Sequence, residues 1–101
     1  MRLRNVRHLV MVAELGSIAR AAAYLRLAQP ALSREIRQLE DELGFAVVER
    51  ERRGVRLTPA GSALVASAPA LLTRLDDAIR GAREAHAGLR GTVRVCMSRL
   101  A

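Results

Sequence analysis

Apolar residues in the first half of the chain recur at intervals of three and four, the period of a helix buried along one face. Val6, Leu9, Val10 and Ala13 form the first such run and Gly16 ends it, which predicts a helix over roughly Leu3 to Leu15. Ser17 stands where a hydroxyl can accept an orphan amide proton, and it opens a second helix with Ile18, Ala21, Ala22 and Leu25 on one face. The alanines of that face let a neighbouring helix approach closely at a steep angle. Arg26, Leu27 and Ala28 make a short turn. Pro30 then marks the start of a third helix, because proline is tolerated in a first helical turn and nowhere deeper. Leu32, Ile36, Leu39 and Leu43 define its buried face, and Gly44 supplies a left-handed cap.

From Phe45 the period changes. Phe45 to Arg50 reads as a short strand and Val55 to Leu57 as its partner, joined by Glu51-Arg52-Arg53-Gly54, with Gly54 free to take positive φ. Two strands alone are marginal, so this hairpin must lean on the helices. Thr58-Pro59 repeats the cap-and-proline start and opens a longer helix reaching about Ala87. Along it Leu64, Ala68, Leu71, Leu75, Ala78, Ala82, Ala85 and Leu89 alternate by four and three, flanked by Val65, Leu72, Ile79 and His86. This heptad predicts a coiled-coil seam in which Leu64, Ala68, Leu71, Leu75, Ile79 and Ala82 face a second copy of the chain. Pro69 lies inside the helix and is expected to bend it. Gly88 to Gly91 is expected to end the helix, and Thr92 to Cys96 alternates like the first strand of a further, truncated domain.

The expected fold is therefore mainly α. A winged helix-turn-helix of three helices and a two-stranded β-wing occupies residues 1–58, a long coiled-coil linker helix residues 59–88, and the start of another domain residues 89–101.

Composition narrows the class. Half of the 101 residues are apolar but only Tyr24 and Phe45 are aromatic, so the core must be aliphatic and alanine-rich, which favours helices. The net charge is +7 and all 17 basic residues are arginine. The planar guanidinium matches phosphate oxygens and guanine edges, which points to a polyanion; a GC-rich genome writing arginine onto ordinary surfaces explains the composition equally well. Cys96, the one cysteine, can form no internal disulfide, which fits a reducing, cytoplasmic setting. No secretory leader follows the basic first residues, and no segment approaches the ~20 apolar residues of a membrane span.

The chemistry gathers on the third helix. With Leu32, Ile36 and Leu39 turned inward, its opposite face presents Pro30, Ser33, Arg34 and Arg37, with Gln29 at the N-terminal end. An apolar back and hydrogen-bonding leading turns are what a helix entering the DNA major groove requires. Gln29 can pair with adenine, Arg34 with guanine, Ser33 with a base or a phosphate, and Pro30 can contact a thymine methyl. Arg37 lies in reach of the backbone. The acidic run Glu40-Asp41-Glu42 suits a helix end pointing away from DNA. On the wing, where Arg50, Arg52, Arg53 and Arg56 crowd together, Arg52 and Arg53 form a basic tip for phosphates or the minor groove. Arg4, Arg7 and Arg20 are further backbone candidates. No nucleophile has a base beside it, and His8 and His86 lack ligand-like spacing, so neither catalysis nor a metal or other cofactor is expected.

The stretches Gly16-Ser17-Ile18-Ala19-Arg20-Ala21-Ala22, Ala28-Gln29-Pro30-Ala31-Leu32-Ser33-Arg34, Leu39-Glu40-Asp41-Glu42-Leu43-Gly44, Glu49-Arg50 and Val55-Arg56-Leu57-Thr58-Pro59-Ala60-Gly61 resemble the N-terminal domain of LysR-type transcriptional regulators. The resemblance implies a double-stranded DNA partner with an interrupted palindromic operator, bound by homodimers that pair into tetramers in full-length proteins. It implies base contacts by Gln29, Pro30, Ser33 and Arg34, and a minor-groove contact near Arg53. It further implies that the domain beginning at residue 89 is the inducer-binding one, so this stretch of chain would bind no small-molecule inducer. Ala28, at a position that borders the backbone, stands where the family often has serine, so a cap is missing. Two other readings compete. One is another winged-helix family, such as the molybdate-responsive regulators. The other is an interaction module whose long helix forms inactive mixed dimers with a full-length regulator.

Overall fold

A computed structural model of the chain describes residues 1–91, with side chains through Gly88. Its elements run α1 (Leu3–Leu15), α2 (Ile18–Leu25), α3 (Gln29–Leu43), β1 (Val48–Glu51), β2 (Gly54–Leu57) and α4 (Pro59–Gly91). The chain divides into two compact units, Met1–Pro69 and the residues from Ala70 onward.

In the first unit the three short helices pack on one another through their apolar stripes. Leu9, Val12, Ala21, Leu32 and Leu39 have no exposed surface, and Ile18, Ala22 and Ile36 are buried beside them. The boundaries follow from the caps. Gly16 takes φ 69° and returns its amide to Val12 O at 2.8 Å, ending α1. Ser17 Oγ accepts from Arg20 N–H at 3.2 Å and starts α2. That helix ends on Arg26 at φ 59°, the only non-glycine residue with positive φ among those described, where the left-handed backbone costs an L-residue about 1–2 kcal/mol. Asn5 is enclosed among these side chains, 1% exposed.

The wing is an antiparallel pair with Val48 opposite Leu57, Glu49 opposite Arg56, Arg50 opposite Val55 and Glu51 opposite Gly54. The first strand is shorter than the apolar run implied. Phe45 to Val47 lie outside it, because the amides of Val47 and Val48 are taken by the Glu40 carboxylate, at 2.8 and 3.4 Å. The hairpin leans on the helices through the backbone: Val55 N–H donates to Gly16 O at 3.1 Å. Gly54 is required twice over at this contact. It takes φ 126°, and a Cβ there would lie 2.3 Å from Gly16 O.

Thr58 couples the wing to α4. Its hydroxyl donates to Ala46 O at 2.7 Å and accepts from Gly61 N–H at 2.9 Å, while its amide donates to Val47 O at 3.0 Å. The first turn of α4 therefore lies against the chain at Val47, so closely that a Cβ on Gly61 would stand 2.0 Å from the Val47 oxygen.

In the second unit α4 continues to Gly91, past Gly88, where the sequence predicts its end. A lone glycine costs a helix about 1 kcal/mol relative to alanine but keeps its amide, so it weakens the ladder without breaking it. Here Leu72 is buried, Leu75 half-buried, Leu71 63% exposed and Ile79 40% exposed, and Arg80 pairs with Asp77. The strand expected from Thr92 to Cys96 lies outside the described residues. Among the residues described, no helix is long and apolar enough to cross a membrane, and no cluster of side chains has the makings of a metal site.

Gly61→Ala should lower stability in chemical denaturation by about 1–3 kcal/mol, because the methyl must push apart two backbones. Gly81→Ala, at a helical site where an added Cβ meets nothing within 4 Å, should instead be neutral or stabilising by up to ~1 kcal/mol.

Candidate nucleic-acid interface

Helix α3 places its side chains about 100° apart. Leu32, Ile36 and Leu39 turn into the core, which leaves Pro30, Arg34 and Arg37 exposed on the other side and Gln29 exposed at the N-terminal end. Ser33 differs from expectation: it is only 8% exposed. One residue beyond Leu32, it lies on the flank of the helix rather than at its crest, and its short side chain sits low between longer neighbours. It still lines the same cleft as Gln29, Pro30, Arg34 and Arg37, so its hydroxyl belongs to the floor of that cleft.

The remaining residue of this cleft is Arg50, from β1. A second cleft, bordered by Ser17, Ile18 and Ala19 of α2 and its cap, also contains Gln29 and Arg50, together with Glu51, Gly54 and Val55 of the wing. The sequence shows Arg50 as one arginine among several on the wing and, with Glu49, as part of the family resemblance; its adjacency to α3 is a tertiary fact.

Arg52 and Arg53 form the two-residue turn of the hairpin and are exposed. Arg56 is committed elsewhere. It pairs across the strands with Glu49 at 3.2 Å and with Glu51 at 4.0 Å. The hydrogen bond to Glu49, and then the negative charge of Glu51, hold its guanidinium more firmly protonated than usual. In contrast, Arg34, Arg37, Arg50, Arg52 and Arg53 have no carboxylate partner among the described residues.

The carboxylates serve the scaffold. Glu40 is half-buried and holds the start of the wing, a role the acidic run at the end of α3 does not disclose. Glu42 takes the terminal ammonium of Met1 at 2.9 Å. Glu35, on the flank of α3 away from the cleft, accepts from His8 of α1 and lies 3.5 Å from Arg4. His8 is thus a half-buried helix-to-helix contact, and Arg4 is drawn to α3.

Ala28 is exposed at the N-cap of α3, with φ −68° and ψ 137° and no side-chain cap. Its carbonyl accepts from Ala31 and Leu32 at 3.0 and 3.1 Å, so the helix starts on backbone bonds alone. Among the residues expected at a dimer seam, Leu71, Ile79 and Ala82 are exposed and Leu64 and Leu75 half-exposed. Ala68 is 4% exposed, already covered within its own chain, so it offers no free surface for pairing.

Residues 3–62 match the family described as bacterial regulatory helix-turn-helix protein, lysR family. The chain is 40% identical over 93 residues to the uncharacterised HTH-type transcriptional regulator YnfL of Escherichia coli K12, covering 92% of this chain and 31% of that protein. It thus spans about a third of the length of that relative. A crystal structure of a CbnR DBD–DNA complex superposes with a TM-score of 0.80 at 35% identity, over 85% of this chain and 99% of that one. A BenM DBD bound to catB site 1 DNA also gives 0.80, at 40% identity, over 87% and 98%.

The cap geometry at Ala28 already suits a side-chain acceptor. Ala28→Ser should therefore raise the stability of the isolated chain by about 1 kcal/mol, measured by thermal or denaturant unfolding.

Proposed function

Because the chain belongs to the lysR family of bacterial regulatory helix-turn-helix proteins, we propose that it binds double-stranded DNA sequence-specifically as a homodimer and serves as the DNA-binding part of a cytoplasmic transcription regulator. The observation that carries this reading is the division of α3. The side formed by Leu32, Ile36 and Leu39 is locked into the core, while Pro30, Arg34 and Arg37 stand clear on the other, with Gln29 at the exposed N-terminal end and Ser33 beneath them. On this reading residues 1–58 form the DNA-binding body and the helix from residue 59 to about 88 joins two copies. Solved complexes of similar domains with DNA support it.

Each side chain has a distinct task. Arg34 has the fork needed for guanine N7 and O6, and Gln29 the paired donor and acceptor needed for adenine. Pro30 offers an apolar ring to a thymine methyl, and Ser33, low in the cleft, suits a short contact to a base edge or a bridging water. Arg37 and Ala28 border the phosphates, and Arg52 and Arg53 reach the minor groove or its rim from the wing tip. None of these tasks includes a bond-breaking step, so the reading assigns the chain no enzymatic activity.

For pairing, the exposed Leu71 and Ile79 are the strongest candidates on α4, with Leu64, Leu75 and Ala82 beside them. Large aliphatic side chains repeating along one helix gain about 25 cal/mol per Å² when a second helix covers them.

Arg34→Ala should narrow the affinity ratio between selected and unrelated duplexes by about 1–3 kcal/mol, whereas Arg53→Ala should weaken both and reduce the salt dependence. An Arg34→Ala chain that keeps its site preference would refute the assignment of α3. In sedimentation, the parent chain should run as a dimer, and the Leu71→Glu, Ile79→Glu double variant as a monomer.

A further inference from the structure

A sugar–phosphate strand divides every major groove from the minor groove beside it. A protein that reads both grooves must therefore let that strand cross the surface between its two probes. Here the probes are α3 and the wing tip, and the surface between them consists of the two clefts described above. Only Gln29 and Arg50 line both. Gln29 belongs to the reading helix. Arg50 has no task yet.

Strand alternation explains why Arg50 is available. Glu49 and Glu51 project to the face where Arg56 lies and both pair with it, while Arg50, between them in sequence, projects to the opposite face. It is exposed there and without a carboxylate partner among the described residues, beside Pro30, Ser33, Arg34 and Arg37. The hairpin thus sorts its charges by side, neutralising one arginine and leaving another bare towards α3.

We infer that Arg50 clamps the phosphate of the strand separating the two grooves, and thereby fixes the register in which α3 enters the major groove. The inference rests on the groove assignment made under Proposed function. A guanidinium suits the task because its fork binds phosphate oxygens in pairs. Being anchored on a strand whose neighbouring amide at Val48 is held by Glu40, it also approaches α3 from a fixed base. A phosphate contact carries no sequence information, so its signature differs from that of Arg34.

The test is a salt titration of the 101-residue chain, using a duplex that the chain selects from a random pool and an unrelated duplex of equal length. Arg50→Ala should reduce the slope of log K against log salt by about 1 and weaken both duplexes by the same factor, leaving their ratio unchanged. Arg50→Lys, which keeps the charge, should retain most of the slope. Arg56→Ala removes another exposed arginine from the same hairpin, one already paired with two glutamates, and should change the slope by less than half as much. Equal losses from the Arg50 and Arg56 variants would mean that only net charge matters, and would overturn the inference. So would an unchanged slope for Arg50→Ala, or a loss confined to the selected duplex, which would make Arg50 a base reader. If Arg50→Ala melts below the assay temperature, Arg50→Gln keeps the stem without the charge and gives the same test. A parent chain that binds neither duplex would instead defeat the groove assignment itself.

Discussion

The relation between α3 and the wing depends on one carboxylate. Glu40 Oε2 takes the amides of Val47 and Val48, and so fixes where the chain leaves the last turn of α3 and how β1 begins. The same short segment is gripped from the other side, since the carbonyls of Ala46 and Val47 accept from the hydroxyl and amide of Thr58. Three elements therefore meet on Ala46 to Val48, and Gly61 leaves room for the meeting. A carboxylate acceptor makes hydrogen bonds roughly twice as strong as neutral pairs, and with the bond from Val55 to Gly16 it sets the angle of the wing.

This arrangement also organises the charge. The glutamates of the first unit that pair do so within the scaffold: with backbone amides, with the amino terminus, with His8 and Arg4, or across the hairpin with Arg56. Among the arginines this leaves without a carboxylate partner are those of the α3 face and of the tip and inner side of the wing. The α3 face and the wing thereby carry a local concentration of the net charge of +7. Such a field speeds encounter with a polyanion and turns the molecule before contact, while the uncharged groups of Gln29, Pro30 and Ser33 act only at short range.

Most of the scaffold could be read from local rules. The limits of α1, α2 and α3 are set by Gly16, Ser17, Pro30 and Gly44, and each of these acts within a turn of its own position. The register of the buried stripe of α3 followed from Leu32, Ile36 and Leu39, and with it the outward placement of Arg34. What escaped the sequence was long-range or a matter of degree. Val47 reads as strand because it is β-branched, yet its amide goes to a glutamate seven residues earlier. Glu35 meets His8 across 27 residues, and nothing near either of them announces it. Ser33 is on the expected side of α3 but low on its flank, a difference that helical period alone resolves poorly. Arg50 looked like one more wing arginine until the strand alternation placed it against α3.

The core of the body is small and aliphatic, with few aromatic rings, so its stability has little in reserve. A ligand that binds only the folded form adds stability by mass action, about 2.7 kcal/mol at a concentration one hundred times its Kd. On the proposed DNA-binding role, occupancy of DNA and persistence of the fold are then coupled. Chains released from their sites open more often than bound ones and are exposed to proteolysis, so turnover would preferentially clear the unbound pool.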